Sequence, residues 1–272
     1  MTFRHAQFFA VLVAIAAALS GASAEEKPGI APQSRDNPLK ELISGYHFGA
    51  LKTRSLQDDE FDNPGYPSIQ QGEKLWNTVE GDQKKSCSAC HADAAQAMKG
   101  VGAGFPKFSP TLNKVISLEQ RINACRQEKM SAAPWPFESA DLIAMTAYVR
   151  NQSRGLAVDV AIDGPSRPAF ELGRKEYETK IGQLNMACAD CHNTRYGQKL
   201  RGKTLSQGHS NGFPAYSLSD KAMHSLQDRL RRCNALVRAE QRDSGSEEYA
   251  ALELYLAWRG EGLPVETPAV RE

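Results

Sequence analysis

Apolar positions along the chain fall mostly at helical spacing. Leu142, Met145 and Val149 stand at i, i+3 and i+7, and Leu252, Tyr255 and Arg259 repeat that spacing with Trp258 alongside. Two related amphipathic helices are predicted there. Tyr177 and Ile181, one turn apart, predict another helical stretch, and Ser244 with Glu247 has the form of a capping box before the last helix. Long alternation of apolar and polar residues, the mark of half-buried strands, is absent. The expected fold class is therefore mostly α. Residues 25–67 break the pattern with Pro28, Pro32, Pro38, Pro64 and Pro67. They read as an extended N-terminal arm with a short helix near Leu39 to Ile43. Residues 154–168, with Gly155, Gly164, Pro165 and Pro168, read as a linker.

The helical pattern is written twice. Gly72-Glu-Lys-Leu-Trp76 stands 15 residues before Cys87, and Gly173-Arg-Lys-Glu-Tyr177 stands 15 before Cys188. Gly104-Phe-Pro recurs as Gly212-Phe-Pro, and Leu118-Glu-Gln-Arg121 ahead of Cys125 recurs as Leu226-Gln-Asp-Arg229 ahead of Cys233. Early landmarks are 101 apart and later ones 108 apart, so about seven residues are inserted in the second copy. Matched offsets in order indicate a duplicated domain. The expected division is an arm at 25–67, one unit at 68–155 and a second at 165–272.

The first residues bear on compartment. Arg4 and His5 precede an apolar run from Phe8 to Leu19, then Ala22-Ser23-Ala24 and two glutamates. That is the form of a secretory signal peptide over residues 1–24, cut after Ala24. The run is too short for a comfortable membrane span and no later stretch is long enough for one. A periplasmic protein is expected. The net charge of +1, from 33 basic and 32 acidic side chains, offers no field for nucleic acid.

Chemistry enters with the cysteines. Cys87-Ser-Ala-Cys90-His91 and Cys188-Ala-Asp-Cys191-His192 both match the attachment signature of c-type haem. Two thiols add to the haem vinyls while the adjacent histidine reaches the iron. Zinc or disulfides are the blander reading of one such motif; two at equivalent places in an exported duplicate favour two covalent haem c groups, with His91 and His192 as axial ligands. Cys125 and Cys233 remain. They could form one disulfide, as exported thiols often do, or each could be the sixth ligand of its own haem. Matched repeat positions favour ligation. No methionine has a counterpart in the other copy, so Met98, Met130, Met145, Met186 and Met223 read as core fillers. Arg229 lies four residues before Cys233 and shares its helical face; it could favour thiolate and grip a dianion, or belong with Arg231, Arg232 and Arg238 to a solvated basic face. Arg121 stands likewise before Cys125. His209 and His224 read as surface or hydrogen-bonded histidines, His47 has no legible role, and Gly197 to Gly202 reads as a haem-edge loop.

This order of motifs resembles the SoxA family, dihaem cytochrome subunits of the bacterial Sox thiosulfate-oxidising system, over nearly the whole mature chain. The likeness is strongest from Gly182 through Cys188-Ala-Asp-Cys191-His192 and Gly212-Phe-Pro to Arg229 and Cys233. It implies an L-cysteine S-thiosulfotransferase that pairs with the smaller cytochrome SoxX. Thiosulfate would be joined oxidatively to a cysteine of the SoxYZ carrier, with electrons passing to a downstream acceptor cytochrome. Cys233 would then be both distal ligand and catalytic cysteine, often held as a persulfide. Arg229 would bind substrate, Cys125 would only ligate, and 165–272 would be the catalytic unit. The alternative is a dihaem electron carrier without sulfur-transfer chemistry. A dihaem peroxidase needs an open iron position, which two cysteine ligands disfavour.

Overall fold

The structure is a computed structural model that describes residues 29–33 and 36–272, together with Met1. The expected signal peptide, beyond Met1, lies outside the described residues. Each half is built on a crossed helix pair. In the first, α2 (Tyr66–Asn77) packs on α5 (Ala140–Asn151); in the second, α6 (Arg167–Glu178) packs on α9 (Glu247–Arg259). Glycine sets both crossings. A Cβ at Gly72 would lie 3.0 Å from the Ala144 carbonyl carbon, and one at Gly173 would lie 2.6 Å from that of Ala251. The apolar positions read from the sequence face these contacts: Trp76, Met145 and Val149 in one core, Tyr177, Tyr255 and Trp258 in the other, where Phe170 joins them.

Between each pair's partners come the motif helix, a short hairpin and a further helix. The first half runs α3 (Cys87–His91), β3 (Lys107–Ser109), β4 (Lys114–Ile116) and α4 (Leu118–Cys125). The second runs α7 (Cys188–His192), the hairpin β5 (Lys199–Leu200) with β6 (Lys203–Thr204), β7 (Ala215–Ser217), β8 (Ala222–His224) and α8 (Leu226–Leu236). The mostly helical, duplicated cytochrome c-like fold is as expected, and the seven-residue insertion is the β5–β6 hairpin.

Several local expectations are corrected. The last helix is capped by Ser246, which accepts from Tyr249 N at 3.3 Å. Ser244 cannot lead into it because Gly245 turns the chain at φ +84°. α6 ends at Glu178, and Ile181 bridges to Met186 in the loop beyond. The supposed linker is not loose. Val158 and Val160 alternate inward, and the segment bonds to the C-terminal stretch through Gly155 N to Val265 O, Val158 N to Leu263 O and Gly262 N to Val158 O, each 2.9 Å.

The arm differs most. β1 (Ile30–Pro32) pairs with β2 (Glu41–Ile43) where a helix was expected near Leu39 to Ile43, and the arm's helix, α1, spans Leu51–Asp58. Leu39 and Leu42 bury against Leu263. Gln207 accepts from Ile43 N at 2.7 Å and donates to Glu41 O at 3.1 Å, so one amide completes the free edge of β2. Gln57 accepts from Val270 N, Thr53 donates to Glu272, and Asn63 donates to Pro268 O. The arm thus straps the second half, beside β9 (Ala269–Arg271), which runs parallel to β7. These contacts join residues about two hundred apart, and no local pattern announces them.

Candidate haem and thiol sites

Each motif occupies a single helical turn, so its residues at i, i+3 and i+4 share one face. Ser86 starts α3 by accepting from Ala89 N at 3.1 Å; in α7 Asp190 accepts from Ala187 N at 2.9 Å. An aromatic residue from the preceding helix pins the far end in both. Trp76 Nε1 donates to Ala92 O at 3.1 Å, and Tyr177 OH donates to Asn193 Oδ1 at 3.1 Å. Trp76 also lies 5.8 Å from the His91 ring. Burial pushes the Cys87 thiol up to about 11 and the Cys188 thiol up to about 12, with Cys125 and Cys233 next as causes. Such thiols are poor thiolates, suited to a fixed bond and not to free nucleophilic chemistry. Cys191 is also raised by burial. The structure thus brings Cys125 to the Cys87–Cys90–His91 turn and Cys233 to the Cys188–Cys191–His192 turn, and all six thiols are unpaired.

His192 is the better-defined histidine. Its Nδ1 lies 2.8 Å from Ser206 O, which fixes Nδ1 as donor and leaves Nε2 for a metal. Burial holds it below its ordinary value, with Arg259 and Arg229 adding to the effect against the Ser206 bond. Gly208, at φ +74°, lets the chain press on the ring: a Cβ there would lie 2.9 Å from His192 Cγ. The β5–β6 insertion delivers Ser206 and Gly208 to this place, so Gly197 to Gly202 forms the hairpin that supports them. A histidine with Nδ1 engaged and Nε2 left over, two half-buried thiols on its own turn and a third thiol close by fit a covalently held haem.

Two matched loops lock the distal helices. Gly81 and Gly182 turn at φ +67° and +69°, and Gln83 N donates to Met130 O while Leu184 N donates to Val237 O, both at 3.2 Å. The loop ahead of each motif is thereby tied to the end of the helix segment that carries its third cysteine.

The two distal sites then diverge. Beside Cys125, Arg126 is buried, ion-paired with Glu80, bonded to Ala133 O at 3.1 Å and stacked 3.6 Å from Trp135. Trp135 is itself held by Asn123 through two reciprocal 2.9 Å bonds. After Cys233 stands Asn234, with Ile181 in the place of Glu80 and Arg231 in the place of Asn123. Arg229 is exposed, its charge reaches His192, and it joins no ion pair among the described residues. The basic cluster is smaller than it reads: Arg232 is bound by Asp220 and Asp228 at 2.6 Å each, and Arg231 by Gln241. His224 sits between the same two aspartates, and His209 is buried with Nε2 at 2.9 Å from Gln207 Oε1. Sequence reasoning missed Ser206 and Gly208, which carry no motif, and saw Arg259 only as a core-facing position.

Paired turns of this kind in a duplicated helical scaffold define a c-type cytochrome, a protein that holds haem c covalently. The comparisons agree: residues 71–158 match the model described as SoxA/TsdA, cytochrome c domain. The chain is 44% identical to the L-cysteine S-thiosulfotransferase subunit SoxA of Pseudaminobacter salicylatoxidans, over 87% of this chain and 83% of that protein. It is 41% identical to the same subunit of Paracoccus pantotrophus, over 85% and 79%. The crystal structure of SoxXA from P. pantotrophus matches with TM-score 0.84 and 40% identity, covering 86% of this chain and 89% of that one. The chain belongs to the SoxA family. No helix among the described residues is long and apolar enough to cross a membrane.

Proposed function

We propose that this chain is the thiosulfate-conjugating cytochrome of a Sox system, with two haem units at 68–155 and 165–272. It works in the periplasm after loss of residues 1–24. It pairs with a SoxX cytochrome, as in SoxXA of P. pantotrophus, and loads thiosulfate onto a cysteine of a SoxYZ carrier. The observation that carries this reading is Cys233, held beside the second motif with an exposed, unpaired Arg229 one helical turn away.

Arg229 receives the sulfonate end of thiosulfate through charge-assisted bonds. The Cys233 thiolate and the terminal sulfur of thiosulfate form a sulfur–sulfur bond, and two electrons leave. Bound haem supplies the acceptor for those electrons on their way to a downstream cytochrome. The carrier thiolate attacks the sulfur attached to Cys233, takes the S–SO3 group and releases Cys233 as thiolate, as in thiol–disulfide exchange. Cys87, Cys90, Cys188 and Cys191 would hold two haems covalently, His91 and His192 would bind their irons, and Cys125 would serve only as a ligand.

Intact mass decides the reading. The mature chain should carry two haem masses and gain a thiosulfate adduct with oxidant present. Cys233→Ser should abolish the adduct, and Cys125→Ser should largely spare it. Equal loss in both variants, with both haems retained, would refute the assignment to Cys233.

A further inference from the structure

The C-terminal end of α9 carries a cation that the reaction above does not use. Arg259 is fully buried, yet among the described residues it joins no ion pair. Nη2 donates to Gln207 O at 3.1 Å, the Tyr255 phenol is the other hydrogen-bonding group beside the guanidinium, and Nε and Nη1 make no close hydrogen bond among the described residues. Its guanidinium carbon sits 4.4 Å from the Tyr177 ring centroid, over a face that attracts cations but carries no net charge. The other polar neighbours are neutral too. His209 is kept uncharged by burial and then by Arg259, and burial raises the Tyr255 phenol. A guanidinium taken from water without a counter-charge is costly, so an anion belonging to the assembled site should face it.

The surroundings place that anion at the second haem. Gln207 lies between Ser206, which holds His192, and Gly208, which presses on its ring. Tyr177, over whose ring Arg259 lies, donates to Asn193, the residue after His192. The first half offers no equivalent. Aligned through the glycine crossings at Ala144 and Ala251, Arg259 corresponds to Gln152, whose amide merely donates to Tyr148 O at 3.0 Å.

We propose that Arg259 is a positioning residue that fixes a positive charge on the His192 side of the second haem and favours its reduced form. A thiolate ligand donates charge to the iron and favours the oxidised form. Adding an electron beside that thiolate creates negative charge in a poorly screened interior, where a nearby fixed cation acts strongly. Arg259 thus offsets the thiolate at the second haem alone and raises its potential relative to the first. This rests on the two-haem reading, which the iron count per chain tests separately.

Potentiometric titration of the holoprotein, following each haem, tests the proposal. In Arg259→Gln the oxidised-to-reduced ratio of the second haem at fixed potential should rise at least tenfold, a midpoint fall of about 59 mV or more for one electron. The first haem should not move, and Arg259→Lys should stay within about threefold of the parent, because it keeps the charge. His209→Asp puts a carboxylate beside Arg259 without removing it and should lower the same midpoint. The double variant should then shift less than the sum, because each change removes the same charge effect. An unchanged second-haem midpoint in Arg259→Gln, or equal falls in the Gln and Lys variants, overturns the proposal. Should Arg259→Gln not accumulate with two irons per chain, His209→Asp decides alone, and an unchanged midpoint there overturns it.

Discussion

Alanine at Gly182 would drive a methyl group into the end of the helix that carries Cys233. Its Cβ would lie 2.8 Å from Ala239 N and 2.9 Å from the Arg238 carbonyl carbon, and closer still to Val237 O. Ordinary contacts begin near 3.4 Å, so the backbone must yield by at least about half an ångström. The left-handed φ of +69° costs alanine about 1–2 kcal/mol, and overpacking a rigid contact costs about 1–3 more. A total of about 2–5 kcal/mol lowers the melting temperature by roughly 4–20 °C at this chain length. The displacement also reaches chemistry. α8 spans Leu226–Leu236, so a shift at its end is transmitted to Cys233 one turn away. Misplacement near 1 Å costs on the order of 100-fold in rate, and half of that should cost about 10-fold. Scanning calorimetry, the thiolate spectrum of the second haem and the conjugation rate would be measured together. Gly81→Ala is the control, since its methyl meets Met130 and Ala132 in the same way. It should melt early as well but leave conjugation near the parent rate. A Gly182→Ala protein with parental melting and spectrum would refute the claim that this loop sets the cysteine's place.

Leu42→Ala, at a fully buried arm position, should cost about 2–5 kcal/mol and open the arm to protease, seen as early cleavage between residues 30 and 60. Arg229→Ala should slow conjugation at least tenfold without moving the melting temperature, and Arg229→Lys should recover it only partly, because the planar fork is lost. Between the two halves, burial and then Glu119 push Glu253 well above the ordinary carboxyl value, while burial lowers Arg150. The folded state then binds more protons than the unfolded one. Stability from Glu253 is therefore greatest below 4.5 and falls as pH rises towards the shifted value. Glu253→Gln, which keeps the shape beside Gln227, should unfold later than the parent in urea at pH 8 and with a flatter pH profile.

Local rules explain why some of this was legible. A helix pair held by Gly72 and Gly173, a turn of Cys-x-x-Cys-His and a cysteine seven residues into a helix each show in a short window of sequence. Duplication doubled that signal, so fold and candidate ligands could be read together. What stayed hidden depends on distant partners. The edge of β2 is completed by Gln207, and nothing near Glu41 says so. Val158 and Val160 alternate over too few residues to stand out against Gly155 and Pro165. Arg229, Arg231, Arg232 and Arg238 look alike in sequence, yet Asp220 and Asp228 occupy Arg232 and leave Arg229 exposed. In the sequence, the choice of Cys233 over Cys125 rests on the family resemblance and, second, on arginine crowding. The Arg126–Glu80 pair and the Trp135 held by Asn123 are a difference that the sequence did not announce: beside Cys125 the side chains already engage one another.

The strap also imposes an order on assembly. A chain is made from its N-terminus, so residues 30–58 emerge well before their partners at 263–272. The Gln57 side chain waits for Glu266 and Val270, and the Thr53 hydroxyl for Glu272. The first unit can close around its own motif in the meantime, since α2 and α5 both precede the second. The second unit cannot close until β9 is present to pair with β7. A chain broken off before Leu263 would keep its first site while leaving Leu39 and Leu42 uncovered. Closure of the second half thus reports that synthesis has passed Arg271.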